Sequence, residues 1–192
     1  SSDLISSMTD SPAIINQCSK INRSTTNMAD MIHALLAITR DRLPVEECHY
    51  FSLSSLIKEA LEDRKQSIEI NNISIDNQLE IKLNTMDGYD DTLQCHSNLL
   101  SVVINNLLSN AIKHSNDGTI HIDYDNGYLT IRDTGPGLDT ENIEQLFEIG
   151  VAGKHKGGYG LGLYITQLIC NKQGWGLKLT NANPGTNAQV QL

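Results

Sequence analysis

Apolar residues along the chain follow more than one period, and the change of period divides it in two. Ile14, Ile21, Met28 and Leu35 recur every seven residues, with Cys18, Met31, Ile32 and Ile38 beside them. That spacing predicts a helix packed in a bundle or coiled coil over residues 11–43. Ser11-Pro12 supplies a cap and a proline at its start, so Leu4–Met8 reads as the end of a preceding helix. A helical hairpin of this size buries little alone. Pairing with a second chain is expected, the alternative being docking on its own domain. Leu43-Pro44-Val45 breaks the pattern and sets a domain boundary, with residues 1–44 before it and 45–192 after.

Beyond the proline, strand and helix periods alternate. Phe51–Leu53 predicts a short strand, followed by a helix capped near Ser54 that runs to about Ser67. Ile73–Asn77 and Ile81–Thr85 predict strands, Asp87–Asp91 a turn, and Thr92–His96 a further short strand. A long amphipathic helix starts near Ser97 or Asn98. Thr119–Tyr124 alternates as a half-buried strand, and Asp125-Asn126-Gly127 predicts a tight hairpin turn into Tyr128–Arg132. Residues 140–148 have helical spacing. Gly150–Gly160 holds five glycines and little apolar content, the composition of a mobile loop. Leu161–Gln173 returns to helix, and Gly176–Asn181 and Thr186–Gln191 close the chain as strands around Asn183-Pro184-Gly185.

Composition narrows the function classes. With 39% hydrophobic residues, two Phe and one Trp, the 192 residues support one full domain with an aliphatic core plus a smaller element. A net charge of −9 argues against a nucleic-acid binder, because phosphate backbones reward Lys and Arg. It leaves a nucleotide open, since a nucleotide's phosphates need only a few local donors and a metal. Cys18, Cys48, Cys95 and Cys170 are widely spaced and read as reduced thiols in a cytosolic setting. The longest apolar run, Leu99–Leu108, is interrupted by Ser101, Asn105 and Asn106 and is too short to span a bilayer.

Three stretches carry candidate chemistry. In Val103–Ser115 (VINNLLSNAIKHS), Asn106, Asn110, Lys113 and His114 share one helical face. Leu100, Ile104, Leu107, Leu108, Ala111 and Ile112 fill a separate one. Carboxamides combine an oxygen acceptor with paired donors, which suits Mg²⁺ held between protein and phosphates. On this stretch alone, a metal site and an ordinary surface helix are equally supported. Asp133-Thr134-Gly135-Pro136-Gly137-Leu138 leaves a strand with an aspartate that can accept from an exocyclic amine and glycines that admit a ligand near the backbone. By itself it reads equally as a turn with a helix cap. Gly157-Gly158-Tyr159-Gly160-Leu161-Gly162-Leu163 leads into a helix N-terminus, where amide donors and the macrodipole suit phosphate. It is neither a P-loop nor a Rossmann fingerprint. Lys154 and Lys156 lie just upstream, able to reach phosphate or to remain on a solvated loop.

Taken in order, these stretches resemble the nucleotide-binding domain of sensor histidine kinases, in the superfamily shared with gyrase, ninety-kilodalton heat-shock chaperones and mismatch-repair ATPases. NNLLSNAIKHS resembles its asparagine box, DTGPGL its first glycine box, Leu146-Phe147-Glu148 its F box, GGYGLGL its second glycine box, and PGTNAQVQL its final strand. Residues 11–43 resemble the second helix of the dimerisation and phosphotransfer hairpin. The resemblance implies an α+β fold, a two-layer α/β sandwich whose mixed sheet is covered on one face by helices, preceded by a helical hairpin fragment. It implies ATP and Mg²⁺ as ligands. Asn110 would ligate Mg²⁺ with Asn106 close by, Lys113 would contact phosphate, and Asp133 would accept from the adenine amine. Gly135 and Gly137 would line the adenine pocket, with Thr186 near it. Lys154 and Lys156 would belong to a lid, and Gly160, Leu161 and Gly162 would form the phosphate end of the following helix.

Two departures stand out. His114 occupies a common tyrosine position beside the adenine, and Trp175 a position where a small residue is common. The ATPase members have a water-activating glutamate where this chain has Asn106, whose carboxamide has no useful basicity near neutral pH. That favours transfer of the γ-phosphoryl to a histidine, for relay to a response regulator. The alternative is a nucleotide-binding regulatory module that transfers nothing. The implied assembly is a homodimer through the N-terminal helices, the implied location cytoplasmic, as part of an inner-membrane sensor whose membrane segments lie elsewhere. None of His33, His49, His96, His114, His121 or His155 has the context of the family's acceptor histidine. The 192-residue chain is therefore expected not to phosphorylate itself. Incorporation of acid-labile, alkali-stable phosphate from labelled ATP would contradict this.

Overall fold

A computed structural model describes Ile32 and residues 48–85, 89–138, 144–147 and 161–192. The chain divides into two units, Ser1–Asp41 and Arg42–Leu192. Ile32, helical and exposed, belongs to the first. The rest of the helix expected over 11–43 lies outside the described residues.

The second unit begins with β1 (His49–Ser52), followed by α1 (Leu53–Glu62), α2 (Lys65–Ile70), β2 (Ser74–Asn77), α3 (Gln78–Thr85) and β3 (Thr92–Cys95). Then come α4 (Ser97–His114), β4 (Thr119–Asp125), β5 (Tyr128–Asp133), a 3-10 turn over Glu144–Phe147, α5 (Leu161–Gln173), β6 (Gly176–Asn181) and β7 (Thr186–Gln191). β1 and β3 form a two-stranded ribbon, and the other strands form one sheet in the order β2-β4-β5-β7-β6. The sheet is mixed: β2 runs parallel to β4, and every other pairing is antiparallel.

Alternation along the strands decides which face is covered. Ile122, Ile131, Ala188 and Leu179 form one continuous register row, all buried. Against that side pack the apolar stripe of α4 (Leu100, Val103, Ile104, Leu107, Leu108) and Ile165 and Ile169 of α5, while α1, with Ile57, packs on α4, all of these side chains being buried. The alternate residues, among them His121, Thr130, Arg132 and Asn187, are polar and half-buried on the other face. One covered face and one polar face make the two-layer α/β sandwich expected. The Asp125–Tyr128 hairpin closes through Asn126 (φ 50°) and Gly127 (φ 81°), as the Asn-Gly pair predicts.

Two expectations fail. The helix expected over Ser54–Ser67 is broken into α1 and α2. Buried Arg64 sits at the break, and its guanidinium donates to Ala60 O in the last turn of α1 (2.9 Å) and to Asn105 O on α4 (3.2 Å). The strand expected at Ile81–Thr85 is the second half of α3. Both edges of β4 are already taken, by β2 and β5, and the helix buries Leu79 while leaving Ile81 and Leu83 exposed. Lys82 then reaches back to β4, donating to Asp123 Oδ1 and Tyr124 O. The Asp87–Asp91 turn lies partly outside the described residues, as do most of the 140–148 helix and the whole Gly150–Gly160 loop.

Cys48, Cys95 and Cys170 are free thiols. Burial pushes Cys95 up to about 11 and Cys170 up to about 12, so both stay protonated near neutral pH. Among the described residues, no helix is long and apolar enough to cross a membrane.

The start of α1 depends on a distant acid. Buried Asp91 accepts through Oδ2 from Ser54 N (2.6 Å) and Ser52 Oγ (3.1 Å), and its carbonyl accepts from Leu53 N (3.1 Å). A carboxylate here satisfies amides that the helix leaves unpaired and meets the positive end of its dipole. Asp91→Ala is expected to cost about 1–2 kcal/mol, the scale of a lost N-cap. Denaturant unfolding measures it, and an unchanged midpoint would remove the cap from the argument.

Candidate functional site: a carboxylate and glycine cleft at the end of the sheet

Asp133 ends β5 on its core side and is buried. Its Oδ1 accepts from the backbone amides of Gly135 (2.8 Å) and Thr186 (3.2 Å). Its Oδ2 takes no hydrogen bond among the described residues. One oxygen is thus committed to shaping the loop, and the other is left to accept from a ligand donor.

The glycines around it are there for want of space. A Cβ on Gly135 would collide with the His114 carbonyl oxygen, at the C-terminal end of α4. A Cβ on Gly185 would collide with the Asp133 carbonyl oxygen, and Gly185 also holds φ +98°. Gly137, at φ +82°, would place a Cβ 2.9 Å from Asn181 Oδ1. The carboxylate, the glycine loop, the end of α4 and the β6–β7 connection are therefore pressed together.

About two turns before its C-terminal end, α4 meets the first turn of α5. Asn106 Nδ2 donates to Gly162 O (3.2 Å) and Thr166 Oγ1 (3.3 Å), and the buried Thr166 hydroxyl donates to Gly162 O (2.8 Å). A Cβ on Gly162 would touch the Asn106 carboxamide, 3.4 Å from Oδ1, so glycine lets the two helices approach. One turn on, Asn110 is half-buried, and its side chain makes no hydrogen bond among the described residues. Lys113 and His114 are exposed at the end of α4, and Leu161 is exposed at the start of α5. Lys154, Lys156 and Gly160 lie outside the described residues.

A family model described as histidine kinase-, DNA gyrase B- and HSP90-like ATPase matches residues 95–192, just over half the chain. The chain belongs to this family. The signal transduction histidine-protein kinase BarA of Escherichia coli K12 is 30% identical over 172 residues, 80% of this chain and 18% of BarA. The chain thus spans about a fifth of that curated relative's length. The catalytic domain of histidine kinase ThkA superposes with a TM-score of 0.62 at 22% identity, over 74% of this chain and 93% of that domain. The cytoplasmic segment of histidine kinase QseC gives a TM-score of 0.58 at 20% identity, over 89% of this chain and 93% of that segment. Both likenesses are of fold.

Within this family domain, the sequence singled out Asp133, Gly135, Gly137 and Thr186, which the structure gathers in one cluster, and Asn106 and Gly162, which it joins in another. It missed Asn181, Thr166 and Gly185 as members. Asn181 has no local sequence signal, because its partner Leu138 lies 43 residues away. Gly185 was visible only as a turn glycine.

Gly185→Ala is expected to lose about 1–3 kcal/mol from its backbone angle alone, with the collision against Asp133 added. Gly174 supplies the control: it also has positive φ (+72°), but nothing lies within 4 Å of a Cβ there. Thermal unfolding should rank Gly185→Ala well below Gly174→Ala, and equal losses would refute the crowding.

Proposed function

We propose that this domain binds ATP with Mg²⁺ in the cleft and donates the γ-phosphoryl to a histidine, which passes it to an aspartate of a response regulator. The observation that carries the reading is Asp133. A buried carboxylate with one oxygen held by two amides and the other unclaimed suits the exocyclic amine of adenine. By family resemblance Gly135 and Gly137 would line the base pocket beside it, with Thr186 at the edge.

The phosphate end would be served by α4 and the start of α5. Asn110 offers a carboxamide oxygen that no described residue uses, the donor type a hard cation takes, and Lys113 offers an exposed cation at the helix end. Lys154, Lys156, Gly160, Leu161 and Gly162 are assigned to the phosphates by family resemblance alone. When bound, Mg²⁺ would neutralise charge on the transferring phosphoryl group.

Asn106 supports transfer over hydrolysis. Its amide nitrogen is engaged with Gly162 and Thr166, and a carboxamide cannot take a proton from water near neutral pH. Catalysis then rests on positioning and charge neutralisation. We assign residues 1–44 to a dimerising hairpin fragment and 45–192 to the catalytic domain. We place the chain on the cytoplasmic side of a sensor, in line with its likeness to the QseC segment.

Asn110→Ala is expected to abolish Mg²⁺-dependent ATP binding in a calorimetric titration. The loss should exceed the roughly 10–100-fold that removing an outer-shell partner costs at a metal site. Retained affinity would overturn the metal assignment.

A further inference from the structure

The glycine loop after Asp133 is held at its far end by one side chain. Asn181, the last residue of β6, accepts from Leu138 N through Oδ1 (2.6 Å) and donates from Nδ2 to Leu138 O (2.9 Å). Both main-chain groups of Leu138 are thus paired by a single carboxamide, as a neighbouring strand would pair them. The two bonds fix which way the amide faces, since only one orientation gives Leu138 an acceptor for its N–H and a donor for its C=O. Gly137 is pressed against the same carboxamide.

We propose that Asn181 is a positioning residue for recognition of the nucleotide base. The inference rests on the ATP-binding reading and adds a residue to it. Asn181 holds the loop from one end while Asp133 holds it from the other, and Asn181 and Thr186 are register partners across β6 and β7. The hairpin end therefore carries both anchors: Thr186 N on Asp133 Oδ1, and the Asn181 side chain on Leu138. A loop fixed this way is already ordered when the base arrives, so binding does not have to order it.

Asn181 is exposed, and exposed hydrogen bonds add little to global stability. What the clamp controls is local order, and that separates its test from a test of folding. Asn181→Ala is expected to bind ATP about tenfold more weakly, equivalent to about 1.4 kcal/mol, with an unfolding temperature close to that of the native chain. ADP should lose the same factor as ATP, and the ratio of affinities with and without Mg²⁺ should not change, because the clamp acts at the base end. Asn181→Asp keeps the acceptor for Leu138 N–H and loses the donor, so it should fall between Ala and the native residue. It also decides the matter if the Ala variant fails to fold.

The measurements are calorimetric titrations of the full 192-residue chain with ATP and with ADP, alongside thermal unfolding. If the native chain binds ATP and Asn181→Ala binds it equally well, the clamp has no positioning role. A lowered unfolding temperature with unchanged affinity, or a collapse of the Mg²⁺ dependence, would also overturn the proposal. If the native chain binds no ATP, the reading of the site itself falls.

Discussion

A carboxylate at the end of a buried strand is costly unless its oxygens are satisfied. Asp133 meets this at one of them, Oδ1, which takes two backbone amides, from Gly135 just after it and from Thr186 on the far hairpin. That single constraint fixes much around it. The β6–β7 connection must come close enough for Thr186 N to reach, which brings residue 185 onto the Asp133 backbone and excludes any side chain there. The loop after Asp133 must turn at once, which brings residue 135 against the last carbonyl of α4 and excludes a side chain there too. The glycines follow from the carboxylate and do not act apart from it.

The helix α4 divides its labour by face. Its apolar stripe supplies the largest share of the buried side chains over the sheet, so its axis is fixed by the core. Its polar stripe is thereby aimed, and Asn106 uses the aim to hold the first turn of α5. A substitution in the stripe that shifts the axis would move Asn106, Asn110 and Lys113 together. Rigid elements carrying a site give it precision that loops cannot.

Elements made by local pattern were legible in the sequence. β4, β5, β6, β7 and α5 follow from alternation, from the Asn-Gly turn, and from the return of helical spacing at Leu161. Where long-range competition decided, pattern failed. Ile81 and Leu83 alternate like strand residues, yet no strand edge of β4 was left for them. Arg64 splits a helix because its guanidinium serves carbonyls on two helices, one of them 41 residues away. The site divides the same way. Asp133 and its glycines were visible as a compact motif, and the asparagines as an odd polar stripe. Asn181, Thr166 and the Asp91 cap were not, because each acts on a partner that only the fold supplies.

Position 114 shows how a departure from the family pattern can be absorbed. The sequence marks it as the place where a ring beside adenine is usual and a histidine stands instead. In the structure His114 is exposed, and its carbonyl is the group against which Gly135 is packed. Any residue with helical backbone presents that carbonyl. Asn106 is the opposite case, because its side chain is the tie between the helices. A glutamate there would bring an acceptor and a charge where the carboxamide now donates to Gly162 O, so this packing disfavours it.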